Sequence, residues 1–357
     1  MSKIKLTLVG DIFPANLGYN SGFGIASQYL KHKGNTWEKS INKILHGADI
    51  VFGNLESPLI YEQNYCNNNS FAGHSSFTEF LKKHKINIVS IANNHILEQG
   101  VEGFLSTCSI LEKNGIKYVG KNCNDLSNVE IITIKGYKIG FCAFNNIHDI
   151  SNPKSYAELN EDNIYKTIEN FKLLNLDYKI VSLHWGNEYI HYPSLNQIKL
   201  AHKIIDAGAD IIIGHHPHVV QPVEKYRNGL IFYSMGNFLF DMLWSKKVRH
   251  GLVAKLILDG NHDINFKLVS IRLSNEYAPH LYPEGLKKIN KINKNFQKLL
   301  SKSINNEEKY DKNYIQRVNW YRFIERILMK KSIVKNWNKM SKQSKKEFIY
   351  KIKNKIL

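Results

Sequence analysis

Cysteine is scarce in this chain and poorly placed for any shared task. The 357 residues hold four, Cys66, Cys108, Cys123 and Cys142, and no pair has C-x-x-C spacing. That argues against a disulfide framework and against a thiolate-held zinc. Cys108 falls in a helix-like run and Cys142 in a strand-like one, so both read as buried free thiols. Long apolar runs are missing as well: no stretch approaches the roughly 20 residues of a membrane-spanning helix. The first apolar segment, Ile4 to Val9, is too short and too alternating for a secretory signal, and no small-residue cleavage site follows it. These absences lead to the expectation of a cytoplasmic protein with no signal peptide or transmembrane helix, and they leave a peripheral membrane association open. The sequence also lacks internal repeats, and no specific nucleic-acid motif accompanies its charge.

Hydrophobic residues make up 43% and aromatics 11%, which is globular material with enough length for a sizeable core. The formal net charge is +18 and the pI near 9.5. A basic balance points to anionic partners: nucleic acid, a membrane surface, a polyanionic polymer or a phosphorylated substrate. The chain is rich in Lys, Asn and Ile together, as a compositionally biased genome would make it. Charge therefore counts as a signal only where it clusters.

The organising stretch is Ile211-Ile212-Ile213-Gly214-His215-His216-Pro217-His218. An apolar run reads as a buried strand that stops at a glycine, and three histidines follow within four positions. Imidazole is a common metal ligand, and Pro217 fixes the backbone between His216 and His218. By itself the cluster leaves two readings open, a ligand cluster or a polar turn with solvated histidines. Elsewhere the pattern repeats. Strand-like runs at Ile4 to Val9, Asp49 to Phe52, Ile86 to Ile91 and Tyr178 to Leu183 each end in polar groups: Asp11; Asn54 and Glu56; Asn94 and His95; His184. Helical periodicity marks Trp37 to Leu45, Val101 to Lys113, Ile164 to Leu174 and Gln197 to Ala207. Hairpin signals stand at Lys135-Gly136 and Arg227-Asn228-Gly229, and Asn64 to Ser70 reads as a loop. Strands alternating with helices early and hairpins late predict an α/β fold of two sheets with helices outside them. Open α/β sheets place their chemistry at the carboxyl ends of strands. Carboxylates, a carboxamide and imidazoles gathered there suit borderline to hard divalent metals.

Six segments carry a resemblance: Gly10-Asp11, Asp49 to Pro58, Ala92-Asn93-Asn94-His95, His184 to Tyr189, Gly214 to Gln221 and Tyr233 to Phe238. In type and order they resemble the bacterial capsule-synthesis CapA family, associated with poly-γ-glutamate and capsule polymer production and related to calcineurin-like metallophosphoesterases. The resemblance runs from about residue 4 to about residue 258. It implies a four-layer αββα sandwich of metallophosphoesterase type, with one or two divalent ions (Mn, Fe, Zn or Mg). By position, Asp11, Glu56, Asn94, His184, His216 and His218 match the metal ligands and His95 the catalytic acid. Asn54, His215, Glu188 and Asn237 match positions behind the ligands or facing substrate. Two departures stand out. Metallophosphoesterases usually carry a histidine where this chain has Phe13, a histidine the capsule family generally lacks too, which thins one side of the site, and Glu98 stands where an aspartate is common in the capsule family. Many members also carry a membrane anchor before the first strand, and none is read before Ile4.

The functional expectation is a capsule- or surface-polymer protein acting as a phosphoesterase-type hydrolase through a metal-activated hydroxide. Its substrate would be a phosphoester or an anionic polymer. The alternatives are a non-catalytic accessory subunit of capsule-synthesis machinery and, more distantly, a nucleotide or nucleic-acid phosphodiesterase. Beyond Pro283 lysine and asparagine dominate and strand signals vanish, so residues 1–283 read as the main domain and 284–357 as a basic helical extension. Trp320, Phe323, Ile324, Ile327 and Leu328 form one apolar face there, and Phe348, Ile349, Ile352 and Ile356 another. Such faces either pack on the main domain, the reading preferred here, or lie on an anionic membrane as a peripheral contact.

Overall fold

The computed structural model describes residues 3–65, 70–122, 128–147, 155–260, 264–303, 306–342, 344–346 and 349. Cys66, Cys123, Phe348, Ile352, Ile356 and most of the Asn-rich loop lie outside them. The first half runs β1 (Ile4–Ile12), α1 (Ile25–His32), α2 (Asn35–Leu45), β2 (Ile50–Leu55), the short pair β3 (Leu59–Ile60) and β4 (Gly73–His74), α3 (Phe77–Lys83), β5 (Ile86–Ser90), α4 (Gly100–Lys113) and β6 (Lys117–Val119). The second continues with β7 (Glu130–Ile134), β8 (Tyr137–Asn145), α5 (Glu161–Leu173), β9 (Tyr178–His184), α6 (Leu195–Ala207), β10 (Ile211–His215), β11 (Val223–Tyr226) and β12 (Gly229–Phe232). Then follow β13 (Asn237–Leu239), β14 (His250–Leu258), β15 (Asn265–Leu273), β16 (Pro279–Leu281), α7 (Pro283–Ser303) and α8 (Glu307–Lys335).

Two sheets result. One has the order β16-β15-β14-β1-β2-β5-β6, with β13 also paired to β1, and the other β11-β12-β10-β9-β8-β7. Strand alternation explains how they stack. Ile4, Leu6, Leu8, Ile50 and Phe52 of the first sheet meet Ile139, Phe141, Ile180, Ile211 and Ile213 of the second in one cluster, where the Phe52 and Phe141 rings stack 5.6 Å apart. The intervening residues face outward. Val51, Leu55 and Val89 pack under Trp37, Ile41, Phe77 and Phe104 of the first helical layer. Cys142, Phe144, Val181 and Ile212 pack under Ile164, Ile168, Ile198 and Ala201 of the second. Each such buried side chain contributes about 1.5–3 kcal/mol, and their division into three clusters fixes the order helix, sheet, sheet, helix. The four-layer sandwich is therefore present as the sequence led us to expect. Cys108 and Cys142 are buried, and neither is in a disulfide.

Parallel pairing sets the site. β1, β2 and β5 run parallel, as do β8, β9 and β10, so each sheet delivers its carboxyl ends to one edge. Beyond them α7 and α8 pack on the second helical layer through Phe296, Tyr310, Tyr314 and Val318. The face of α8 that packs differs from the expected one. Trp320 and Phe323 are 60% and 57% exposed, and the covered side is the one bearing Tyr310, Tyr314, Val318 and Glu325. Among the described residues, no helix is long and apolar enough to cross a membrane.

Candidate metal centre

Strand register places the first ligands. Asp11 pairs with Asn54 of β2 on one side and with Asn237 of β13 on the other, so a carboxylate and two carboxamides share one level. The Asp11 amide donates to the Gly236 carbonyl at 3.0 Å, and a Cβ on neighbouring Gly10 would collide with that carbonyl. Glycine before the aspartate is thus required by the close approach of two backbones. In the second sheet, His184 at the end of β9 lies in register with His215 at the end of β10. Immediately after β10 the chain turns sharply: His216 and His218 adopt φ of 91° and 55°. Left-handed backbone at two non-glycine residues costs on the order of 1–3 kcal/mol each and persists where the surroundings enforce it, commonly at functional sites.

The side chains converge on Glu56. Glu56, His184 and His216 bring one ligand atom each within 4.8 Å of one another, and Asp11, Glu56 and His218 do the same. His184 Nε2 lies 3.9 Å and His218 Nε2 3.6 Å from Glu56 Oε1, and His218 Nδ1 lies 3.4 Å from Asp11 Oδ2. Asn94 Oδ1 meets His184 Nε2 at 2.7 Å. Asn54 holds the two carboxylates: its Nδ2 donates to Asp11 Oδ1 at 2.9 Å and to Glu56 Oε2 at 3.1 Å. His215 is buried against Asp11, with Nδ1 2.9 Å from Oδ1, and so is not a solvated turn residue. Asn237 Oδ1 lies 3.0 Å from His218 Nδ1.

The electrostatics split this set. Burial pushes the Asp11 carboxyl up, but His215, hydrogen-bonded to Oδ1, and His218, 3.4 Å from Oδ2, outweigh it and hold the group well below the usual carboxylate range. Burial, followed by the charge of Asp11, raises Glu56 well above it. Burial also keeps His184 and His216 neutral, each well below the ordinary imidazole value. For His218 burial acts in the same direction, but the nearness of the Asp11 carboxylate prevails and the group is raised.

This pocket fits a divalent cation. Asp11 Oδ2, Glu56 Oε1, His215 Nε2 and His216 Nδ1 are all buried with no hydrogen-bond partner. An unsatisfied buried polar atom costs about 1–3 kcal/mol, so such atoms on Asp11, Glu56 and His216, all members of the two groupings, are costly unless something electropositive answers them. Oxygen and imidazole nitrogen are the donors that Mn, Fe, Zn and Mg accept. The two groupings share Glu56, which suits two neighbouring ions.

Around the cluster the other expected residues are distributed differently. His95 sits at the rim, 19% exposed, with Nδ1 2.9 Å from Glu98 Oε1 and its ring stacked on Phe71 at 4.5 Å. Glu188 is partly exposed, and its charge bears on Glu56, His218 and Tyr19 without a ligand-like approach. Phe13 is buried, stacked on Phe240 at 4.6 Å, and Phe240 in turn contacts His218 at 4.6 Å. An aromatic wall therefore occupies the side where a histidine would stand. Two contributions escaped the sequence reading. Asn93 donates to Asn54 Oδ1 at 3.2 Å and accepts from the His95 amide at 3.2 Å, tying the third motif to the second; its place beside Asn94 was the available signal. Arg322 of α8 donates to Asn187 Oδ1 at 2.9 Å, and its charge reaches His216. No local pattern announces that contact.

The fold is thus a four-layer α/β sandwich that gathers carboxylates, carboxamides and imidazoles at its shared strand edge. The chain belongs to the bacterial capsule synthesis protein family PGA_cap, whose family model matches residues 5–242. It is 31% identical over 268 residues to the capsule biosynthesis protein CapA of Bacillus anthracis, covering 70% of this chain and 63% of that one. It is also 31% identical over 226 residues to the PGA biosynthesis protein CapA of Bacillus subtilis, covering 60% and 59%. A probable polyglutamine synthesis accessory protein of Mycobacterium tuberculosis matches at 24% over 213 residues, covering 54% and 56%. The chain thus spans about three fifths of the length of the curated relatives it matches. Among solved structures, the calcineurin-like phosphoesterase YfkN of Bacillus subtilis matches at 12% identity over 87% of this chain and 99% of that one, with a TM-score of 0.41, too distant to bear on function.

Proposed function

We propose that this protein is a metal-dependent hydrolase of capsule or surface-polymer production, acting on a phosphoester or on an anionic polymer end. The observation that carries the reading is Glu56, a buried carboxylate common to two ligand groupings with one oxygen unanswered. Asp11 and His218 would hold one ion, His184, His216 and Asn94 a second, with Glu56 between them. Mn, Fe, Zn and Mg all suit the donors, and a divalent ion there supplies Lewis-acid polarisation and a lowered pKa for attacking water. The remaining work falls to the chain itself. Asn54 fixes the spacing of the two carboxylates. His215 and Asn237 orient Asp11 and His218. His95, backed by Glu98 and seated on Phe71, is placed at the rim to give a proton to a leaving oxygen. Arg322 offers a cationic, hydrogen-bonding group to an anionic substrate at the same rim.

The test is metal content and phosphodiesterase turnover of the wild type beside a His216→Ala, His218→Ala double variant. Loss of both in the variant supports the site, and unchanged metal content with unchanged turnover refutes it. A second reading, a non-catalytic accessory subunit of polymer-synthesis machinery, draws support from Phe13 at a ligand-like position and from the accessory role in the name of the mycobacterial relative. Stoichiometric metal without turnover on a broad phosphoester panel, together with co-purification of polymer synthases, would favour it.

A further inference from the structure

The surplus charge of this protein is confined to one end. Residues 284–357 hold 21 of the 49 Lys and Arg but 6 of the 31 Asp and Glu. They therefore carry +15 of the net +18, and the preceding 283 residues are left with +3. The structure spends two of those acids on the body: Glu307 pairs with Lys199 at 2.7 Å, and Glu325 lies 3.9 Å from Lys247. Among the described residues, no Lys or Arg of α7 or α8 makes a salt bridge, so this charge is unanswered by their acids.

α8 has two apolar sides. Tyr310, Tyr314, Val318 and Glu325 lie against the sandwich, and Tyr310, Arg322 and Glu325 tie the helix to Pro193, Asn187 and Trp244 at 2.8, 2.9 and 3.0 Å. Opposite them Trp320, Phe323, Ile327 and Val334 follow one another at i, i+3, i+7 and i+14, which places them on one outward strip. Trp320 is 60%, Phe323 57% and Val334 72% exposed. The two rings touch, with centroids 6.2 Å apart. Lys312, Lys330 and Arg326 flank the strip on one side and Lys331 on the other, by the same helical spacing. A helix already fixed by one face has no packing reason to display tryptophan and phenylalanine on the other.

We propose that this outer strip of α8 is a docking surface for an anionic lipid bilayer. The ring pair and aliphatics enter the interfacial layer, and the flanking lysines meet acidic headgroups, a pairing that neither component achieves strongly alone. Charge selects this occupant over a second copy of the chain. Joining two copies strip to strip would bring two +15 segments together, whereas an acidic surface neutralises one. Because the inward face of α8 carries Arg322 to the rim of the candidate metal centre, docking sets that rim close to the bilayer surface. The docking itself does not depend on the proposed hydrolase activity.

Vesicle co-sedimentation of the full chain tests this. The probes are phosphatidylcholine vesicles with and without phosphatidylglycerol, with wild type compared to a Trp320→Ser, Phe323→Ser double variant and to a Lys330→Gln, Lys331→Gln variant. Both substituted pairs are exposed, so unchanged circular dichroism and metal content are expected and serve as the folding control. The expected result is binding to acidic vesicles only, weakened by about tenfold or more in the aromatic variant, weakened in the lysine variant, and abolished near 0.5 M salt. Equal sedimentation of wild type and aromatic variant overturns the proposal. So does a wild-type dimer in solution that the aromatic variant dissociates, since the strip would then serve a second copy.

Discussion

Replacing Glu56 by Gln should raise the stability of the metal-free protein and remove its response to metal, two effects of opposite sign from one isosteric change. Without metal, Glu56 is a buried acid beside the buried carboxylate of Asp11, and burial with that charge raises it well above the ordinary value. A carboxyl raised in the folded state contributes most below its unfolded value near 4.5, and that contribution is lost as pH rises toward the folded value. At neutral pH and above it is therefore a liability. The glutamine amide can keep the acceptor that Asn54 Nδ2 engages and turn its NH2 toward the unpartnered Asp11 Oδ2. Satisfying one buried acceptor while removing one buried charge is worth about 1–3 kcal/mol, or roughly 2–6 °C near the lower end of the usual scaling for long chains. With metal the sign reverses. An ion at a hundred times its dissociation constant stabilises the wild type by about 2.7 kcal/mol, some 5 °C on the same scale. The variant has lost the ligand common to both groupings and should show little of this. Thermal unfolding in chelator and again in excess Mn or Zn, at pH 6 and pH 8, reads all four quantities. A variant destabilised in chelator, or one that keeps the full metal-induced shift, would refute the account of Glu56.

Three further outcomes follow from separate parts of the molecule. His95→Gln should lower turnover by about 10²–10³-fold while leaving metal content within error of wild type, because the ring contacts Glu98, Phe71 and Asn94 Nδ2, from which a glutamine oxygen can still accept, and no ligand carboxylate; elemental analysis beside the assay separates the two. Asp241, whose buried carboxyl accepts from the Leu17 and Ile25 amides at 2.8 and 3.3 Å, is pushed up to about 7 by burial. The folded state then binds the extra proton, so stability should fall between about pH 4 and pH 7 as pH rises, and an Asp241→Asn variant measured by denaturant unfolding should lack that slope. Gly214→Ala should destabilise by about 3 kcal/mol or more, since its Cβ would collide with the Tyr233 carbonyl and crowd Trp185 Nε1; a midpoint within error of wild type would mean that the end of β10 is looser than drawn.

Much of this was readable in the sequence, and the part that was not has a common cause. Period-two burial announced the strands, and glycine or polar stops announced their ends, so the sandwich and the positions of Asp11, Asn54, Glu56, His184 and His216 could be anticipated from local pattern. Register is a different kind of information. Nothing local says that Asp11 lies between Asn54 and Asn237, because that depends on which strands flank β1. The partner of His215 was hidden for the same reason, since Asp11 is 204 residues away and in the other sheet.

The tail shows how a periodic signal can be real and yet be assigned to the wrong neighbour. Trp320, Phe323 and Ile327 do fall on one face of a helix, and an apolar face ordinarily marks the buried side. α8 is instead held by a second face whose members are amphipathic: Tyr310, Tyr314, Arg322 and Glu325 each bury carbon while spending a polar atom on the body. Such residues are invisible to a count of apolar positions, because they score as polar while doing the packing. Once the packed side is assigned to them, the apolar strip cannot also be core, and it is left as the surface that the proposed bilayer docking would cover. The same exchange explains Arg322: a guanidinium on the packed side of a basic helix looks like one more surface charge until the helix is laid against the loop after His184. That loop, which starts from His184 of the metal centre and is held at Asn187 by Arg322 of α8, is where the site and the C-terminal helices meet.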